Sequence, residues 1–400
     1  MNPSAQGWID KYGALCKKHA WHGQEEMLFY NALKKAGFIY GINVEVVLKW
    51  LGEEQLSDDE IAKLNLLSAL HNAYLQHKKN GGFKEFVLSV LEFYGELTPV
   101  ESSFFNKLFA EDKPSRQLEK ILHSRVHIDD NVLTKNFRNV LTNSLLFVDV
   151  LAYRQFLFQQ ILVKPYVQRL EYVVINFIYY TLNSKSQKTA YDEQLIRLFE
   201  ASASYSQKRR KRLEAPLKEL AFTNYTIQEK NYLLDLVCLS AWDDKVLENE
   251  ESNFIVGLGT QMYLEENLIM ESIDSVAIFF SKYQERVSLF KSDNPVKLFY
   301  DNSSQLVKKL ITRNKKRLLK EFTQSKELLV LLTKSTTTDL TPSERKKVKD
   351  QLLEIFKTIP SLAIFALPGG GILLPLFIKL IPKMLPSAFD DNHVEEEQEF

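Results

Sequence analysis

Residues 57–74 read SDDEIAKLNLLSALHNAY, and this stretch predicts the fold class of the chain. The hydroxyl of Ser57 can accept a hydrogen bond from the backbone N–H of Glu60, whose carboxylate can reach back to the Ser57 backbone. Apolar residues then recur three or four positions apart, which is the spacing of one helix face. They are Ile61, Leu64, Leu67, Leu70 and Tyr74. The pattern therefore predicts a capped α-helix.

The same helix-start signal recurs at Thr98–Glu101, Thr226–Glu229 and Thr341–Glu344. Pro99 and Pro342 occupy the first helical position, where the missing N–H of proline loses no partner. We find no long alternation of apolar and polar residues, the pattern that indicates a half-buried strand. The prediction is an all-α protein, a multi-helix bundle or solenoid with a Pro/Gly-broken apolar helical element at its C-terminus.

Composition excludes several classes of protein. The chain holds 51 basic and 51 acidic residues, so no net charge attracts a polyanion, and we expect no DNA partner. Cys16 and Cys238 are far apart, which argues against a disulfide framework and for a reducing compartment. The N-terminus lacks the basic and apolar regions of a secretory signal. These features predict a cytoplasmic body.

Residues 145–182 are rich in aromatic and aliphatic side chains but are interrupted by charges. These charged residues are Asp149, Arg154, Lys164, Arg169 and Glu171. Because a membrane span needs a long stretch with few or no charges, we interpret this region as buried core helices.

The longest charge-free stretch, residues 358–378, reads TIPSLAIFALPGGGILLPLFI. A helix of about 20 apolar residues can cross a bilayer, but prolines and a Gly-Gly-Gly triplet interrupt this one. We expect it to enter the membrane or to bury a broken apolar element inside the protein. The residues assigned to this membrane segment are Ile359, Pro360, Leu367, Pro368, Gly369, Gly370, Gly371, Leu374, Pro375 and Ile378.

A basic region precedes the apolar stretch. Residues 308–357 contain fourteen Lys or Arg and six Asp or Glu. Such charge beside a membrane element is typical of a cytoplasmic flank and can bind anionic headgroups. Membrane lipid is therefore a predicted partner, with the C-terminal segment in the inner membrane.

Residues 328–390 resemble the conserved membrane core of the LETM family, named for leucine-zipper and EF-hand-containing transmembrane proteins. The lead-in LTPSE, residues 340–344, and the basic helix after it match the family, as does LLP at residues 373–375. The other signature residues are Lys379, Pro382, Met384, Leu385, Pro386, Ser387 and Phe389. Over the whole chain, the pattern is similar to bacterial LETM-related proteins of the Bacteroidetes type that are labelled biofilm-associated.

The resemblance implies a non-enzymatic, membrane-associated helical protein that acts in interactions or membrane organisation. It also implies ribosome association, through a domain expected to follow the signature, although only eleven residues follow Phe389 here. One alternative is a subunit of an oligomeric cation/proton transport assembly, but residues 358–378 contain no acidic or His residue for such a relay. Another is a soluble scaffold that packs the apolar tail internally.

Residues 230–275 resemble, more weakly, the TerB-like helical module of tellurite-resistance proteins. The acidic turn of that module corresponds here to Asp243, Asp244 and Glu250, which are weak candidates for a metal site because hard cations prefer several carboxylate oxygens. Alternatively, the turn is solvated and its acidic residues favour the start of the next helix. We predict no resident metal or other cofactor.

The chain divides by sequence into four predicted parts. These are a helical region at residues 1–222, the TerB-like module at 223–292, the LETM-like region at 293–390 and an acidic tail at 391–400. No nucleophile elbow, Rossmann loop or Walker loop is present, so we predict a protein that is not an enzyme.

Overall fold

A computed structural model describes residues 1–52, 56–97, 113–126, 144–159, 162–185, 187–204, 222–242, 249–283, 304, 307–308, 310–359, 362, 365 and 370–385. Within these residues all regular structure is helical, which confirms the predicted fold class. The α-helices are α1 Trp8–Lys18, α2 Glu26–Lys35, α3 Asp58–His77, α4 Phe83–Leu97, α5 Pro114–Val126, α6 Leu146–Gln159, α7 Val163–Ser184, α8 Ala190–Ser204, α9 Ile227–Ala241, α10 Asn249–Gln261, α11 Glu266–Tyr283, α12 Lys315–Thr323, α13 Lys326–Thr337, α14 Pro342–Thr358 and α15 Gly370–Met384.

Capping boxes open helices α3, α9 and α14, as the sequence predicts. The backbone N–H of Ser57 donates to the Glu60 carboxylate at 2.8 Å, and the Glu60 N–H donates to the Ser57 hydroxyl. Thr226 and Thr341 make the same reciprocal pairs. The predicted box at Thr98–Glu101 lies outside the described residues.

The chain forms two compact units. Unit 1 comprises Met1–Glu101, Phe105–Ile196 and Pro216–Asn302, and unit 2 comprises Ser102–Phe104, Arg197–Ala215 and Ser303–Phe400. The four-part division rests on sequence resemblance and composition rather than on contacts between residues, and it stays a prediction.

Two buried helices organise unit 1. Helix α3 packs against α2, α4, α5 and α6, and helix α9 packs against α7, α10 and α11. Both helices are buried on nearly every side, which is typical of a helix at the centre of a bundle. Helices α6 and α7 also pack against each other, so the aromatic-rich residues 145–182 contribute buried core helices, as predicted.

A buried ion pair joins α5 and α6 in unit 1. The Arg125 guanidinium donates to both carboxylate oxygens of Asp149, at 2.7 and 2.6 Å, and the Tyr94 hydroxyl donates to the same carboxylate at 3.0 Å. Because a buried charge is costly without partners, these contacts satisfy charges that are shielded from water.

In unit 2, helix α14 ends at the first residue of the charge-free stretch 358–378, and α15 contains its last nine residues. Helix α14 ends at Thr358, where Ile359 is extended, and α15 begins at Gly370. In the part of the chain that the structure describes, no helix combines the length and apolar character needed to cross a membrane. The predicted transmembrane helix is therefore wrong for the described residues, because α15 has only 15 residues, about 22 Å, whereas a span needs about 20 residues.

Candidate functional site

The C-terminal apolar helix α15 packs against α13 within unit 2. The buried apolar side chains of α15 include Leu373, Leu374, Leu376, Phe377, Ile378 and Ile381. Those of α13 are Leu328, Leu329, Leu331 and Leu332. These side chains form the hydrophobic core of unit 2. Burial of each one contributes about 1.5–3 kcal/mol relative to leaving it exposed to water.

Three phenylalanine rings close this core. Phe356 of α14 stacks on Phe365 with ring centroids 4.7 Å apart, and both rings meet Phe377 of α15 edge-on at 4.9 and 5.0 Å. Edge-to-face and offset-stacked pairs are each worth about 0.5–1.5 kcal/mol beyond their burial. The trio thus fixes α15 to the end of α14.

Helix α15 contains two internal prolines, Pro375 and Pro382. Pro375 is buried and Pro382 is half-buried. Since proline removes a backbone donor from the helix interior, packing must supply the stability that two helical hydrogen bonds would have given. The core contacts of α15 provide that packing.

Residues predicted as the membrane segment and family signature have different environments. Ile359, Leu374, Pro375, Ile378 and Leu385 are buried, Pro382 and Met384 are half-buried, and Lys379 is exposed. Gly370 and Gly371 begin α15. Outside the described residues are Pro360, Leu367, Pro368, Gly369, Pro386, Ser387 and Phe389. The structure therefore brings the described apolar members together in a protein core.

Helix α12 separates apolar and basic side chains sharply. Leu318 and Phe322 are fully buried. Four cations of α12 are exposed and are here called the α12 basic face: Lys316, Arg317 and Lys320 lie opposite the buried pair, and Lys315 flanks it at the start of the helix. None of these four forms an ion pair with a described acidic residue. The buried pair of apolar residues holds the helix so that these charges face water.

Unlike the α12 basic face, several cations on α13 and α14 form ion pairs with acidic residues. Lys334 donates to Glu344 at 2.7 Å, and Lys347 donates to Glu327 at 2.6 Å. The hydrogen bond from Lys334 and the capping contacts with Thr341 lower the pKa of Glu344 from 4.5 to about 2. Such surface pairs add little stability, but they neutralise much of the local positive charge.

Three other cations of unit 2 are exposed on α14 and α15. Lys346 lies on α14, and Lys379 and Lys383 lie on the second half of α15. We call Lys346, Lys379 and Lys383 the C-terminal cations. Like the α12 basic face, they form no ion pair with any acidic residue that the structure describes.

Residues 340–399 match the family model described as LETM1-like, RBD, the ribosome-binding domain of LETM1-like proteins. The match supports the predicted LETM-like resemblance of this segment and contains both α14 and α15. The resemblance implies a ribosome-binding domain after the family signature, whereas the matched segment begins at Leu340 and already contains the signature residues. No curated protein and no solved structure matches the chain.

The two finer resemblances stay predictions, because no comparison bears on the biofilm-associated bacterial type or on the TerB-like module. Of the weak metal candidates, Asp243 and Asp244 lie outside the described residues, and Glu250 lies in α10. Among the side chains that the structure describes, no group of three or more His, Cys, Asp or Glu is placed to hold a metal ion.

Proposed function

We propose that this chain is a non-enzymatic protein that associates with the ribosome through unit 2. The observation that carries the proposal is the match of residues 340–399 to the LETM1-like ribosome-binding domain. The matched residues supply helices α14 and α15, which pack against α13 through a continuous apolar core. This core gives the matched segment a defined surface.

The charges of that surface suit a ribosomal partner. The C-terminal cations project from helices whose opposite sides are buried in the core. Nucleic-acid phosphates attract such cations. When the cations bind, counterions are released from the nucleic acid, so the affinity falls as the salt concentration rises. Binding through the matched segment should therefore weaken as the salt concentration rises.

Co-sedimentation tests the proposal. The full chain is mixed with purified ribosomes from its source organism and spun through sucrose at salt concentrations from about 50 to 200 mM, a range over which phosphate contacts weaken strongly. A triple variant, Lys346→Glu, Lys379→Glu and Lys383→Glu, removes the C-terminal cations. We expect the unaltered chain to sediment with ribosomes at low salt and the variant to stay at the top.

A matched control reverses three exposed lysines of α1, through Lys11→Glu, Lys17→Glu and Lys18→Glu. It changes the net charge equally and should leave co-sedimentation intact. Circular dichroism confirms that both variants stay helical. Failure of the unaltered chain to sediment with ribosomes at any salt concentration would contradict the proposed function.

A further inference from the structure

We infer that the α12 basic face binds the phosphate backbone of RNA. The inference rests on the proposed function and deepens it, because it names ribosomal RNA as the contacted component. It also places a contact on a helix that precedes the matched residues 340–399.

The geometry of α12 provides a compact cluster of positive charge. Lys315 and Lys320 are five residues apart in the sequence, which corresponds to about 7 Å along a helix axis. Double-stranded DNA carries roughly one negative charge per 1.7 Å of axis when both strands are counted, or one per 3.4 Å of each strand. The cations therefore extend over about two phosphates of one strand, and the buried Leu318 and Phe322 keep Lys316, Arg317 and Lys320 turned outward.

These cations are available for a ligand. Lys334 and Lys347 form ion pairs with Glu344 and Glu327, whereas the α12 cations form none with a described carboxylate, although Glu321 lies in the same helix. Arg317 adds a planar guanidinium, which can donate two parallel hydrogen bonds to one phosphate. A polyanion thus gains these contacts without first breaking an ion pair of the described residues.

RNA fits this face better than a lipid surface. A helix that lies in a membrane interface inserts large apolar side chains beside its cations. On α12 the corresponding side chains, Leu318 and Phe322, are fully buried in the protein. Among the described residues of 307–329, no large apolar side chain is exposed. Leu319 of α12 is half-buried and Val330 of α13 is exposed, so α12 itself offers a partner mainly charge.

Fluorescence anisotropy with a labelled RNA duplex of about 20 base pairs tests the inference, since double-stranded RNA is contacted mainly through its backbone. The full chain is compared with a fourfold variant, Lys315→Ala, Lys316→Ala, Arg317→Ala and Lys320→Ala. We expect the variant to bind about tenfold or more weakly. The slope of log affinity against log salt should become shallower by about 3.6 if all four cations contact phosphates, because each lost contact removes about 0.9.

Two further variants control for net charge and for side-chain identity. Lys11→Ala, Lys17→Ala, Lys18→Ala and Lys84→Ala remove four exposed charges from unit 1 and should leave both affinity and slope unchanged. Replacing Lys315, Lys316 and Lys320 with Arg keeps the charge and should keep the binding. Unchanged affinity and slope in the α12 alanine variant would overturn the inference.

Two parallel measurements distinguish the other outcomes. The first is binding to vesicles that contain about one quarter anionic lipid. If the chain binds them, the α12 variant does not, and neither binds RNA, the partner is a lipid surface instead of RNA. Ribosome co-sedimentation that needs the C-terminal cations but not the α12 basic face would refute the inference alone. Duplex binding that needs the α12 basic face, without ribosome co-sedimentation, would refute only the proposed function.

Discussion

Replacement of Asp149 with asparagine should strongly destabilise unit 1. The Asp149 carboxylate is fully buried and accepts two hydrogen bonds from Arg125 and one from Tyr94. The variant Asp149→Asn keeps the size and shape of the side chain but removes its negative charge. The Arg125 guanidinium, whose side chain is only 7% exposed, then remains buried without a counter-charge.

The expected loss follows from this geometry. Removal of one member of a buried ion pair costs about 3–5 kcal/mol, because the other charge is left uncompensated. The asparagine oxygen can still accept from Arg125 Nε and Tyr94, but its NH2 group then faces a second N–H donor of Arg125, so we expect a loss within that range. A typical domain is stable by only about 5–15 kcal/mol, so the loss should be easy to measure.

Urea unfolding followed by tryptophan fluorescence measures this loss in unit 1. All four tryptophans, Trp8, Trp21, Trp50 and Trp242, belong to that unit. The free energy of unfolding is obtained from the transition midpoint and its slope. A loss of less than about 1 kcal/mol is the size expected of an exposed ion pair. Such a result would refute the argument that Arg125 and Asp149 are buried and that each needs the other as its counter-charge.

Two controls separate the charge from the packing. Glu85→Gln removes one partner of the exposed Lys78–Glu85 pair and should leave the transition midpoint unchanged. The double variant Arg125→Met with Asp149→Leu removes both buried charges together. It should be within about 1 kcal/mol of the unaltered chain or more stable, because apolar replacement of a buried pair is often neutral or stabilising.

Three further predictions concern other parts of the chain. Burial lowers the pKa of His71 from 6.5 to about 3. The contribution of the neutral side chain to stability is therefore present above pH 6.5 and is lost as the pH falls towards 3. In His71→Gln, the free energy of unfolding, followed by tryptophan fluorescence, should fall less steeply over that pH range. Thr341→Ala removes the side-chain cap of α14 and should lower the stability of that helix by about 1 kcal/mol. Amide hydrogen exchange should become faster in the first turn of α14. Unchanged exchange would contradict a stabilising role of the cap. If the C-terminal segment enters a membrane, as the sequence predicts, the full chain stays in carbonate-washed membranes, and its complete release would exclude that prediction.

The parts of the fold that the sequence predicts well depend on neighbouring residues. The capping boxes at Ser57, Thr226 and Thr341 each join residues three positions apart, so their contacts can be predicted from the spacing alone. The resemblance around Lys379 and Pro382 was also visible in the sequence, and the family match now supports it.

The candidate binding surface was less predictable. The basic region of residues 308–357 is uniform in the sequence, yet the structure pairs Lys334 and Lys347 with carboxylates, whereas the four exposed cations of α12 form no ion pair with a described acidic residue. Lys347 pairs with Glu327, which is 20 residues away and on another helix. The local signal for an exposed basic surface on α12 is that Leu318 and Phe322 are four residues apart, as on one helix face, with cations around them.

The sequence by itself determined that the chain is helical, where several helices begin and which residues resemble the LETM family. These properties depend on local hydrogen bonds, apolar periodicity and residue identity. Only the tertiary structure decided that the apolar side chains of α15 are buried against α13, and that Arg125 and Asp149 form a buried pair. Such contacts join residues that are distant in the sequence, and the packing of whole helices brings them within reach of one another.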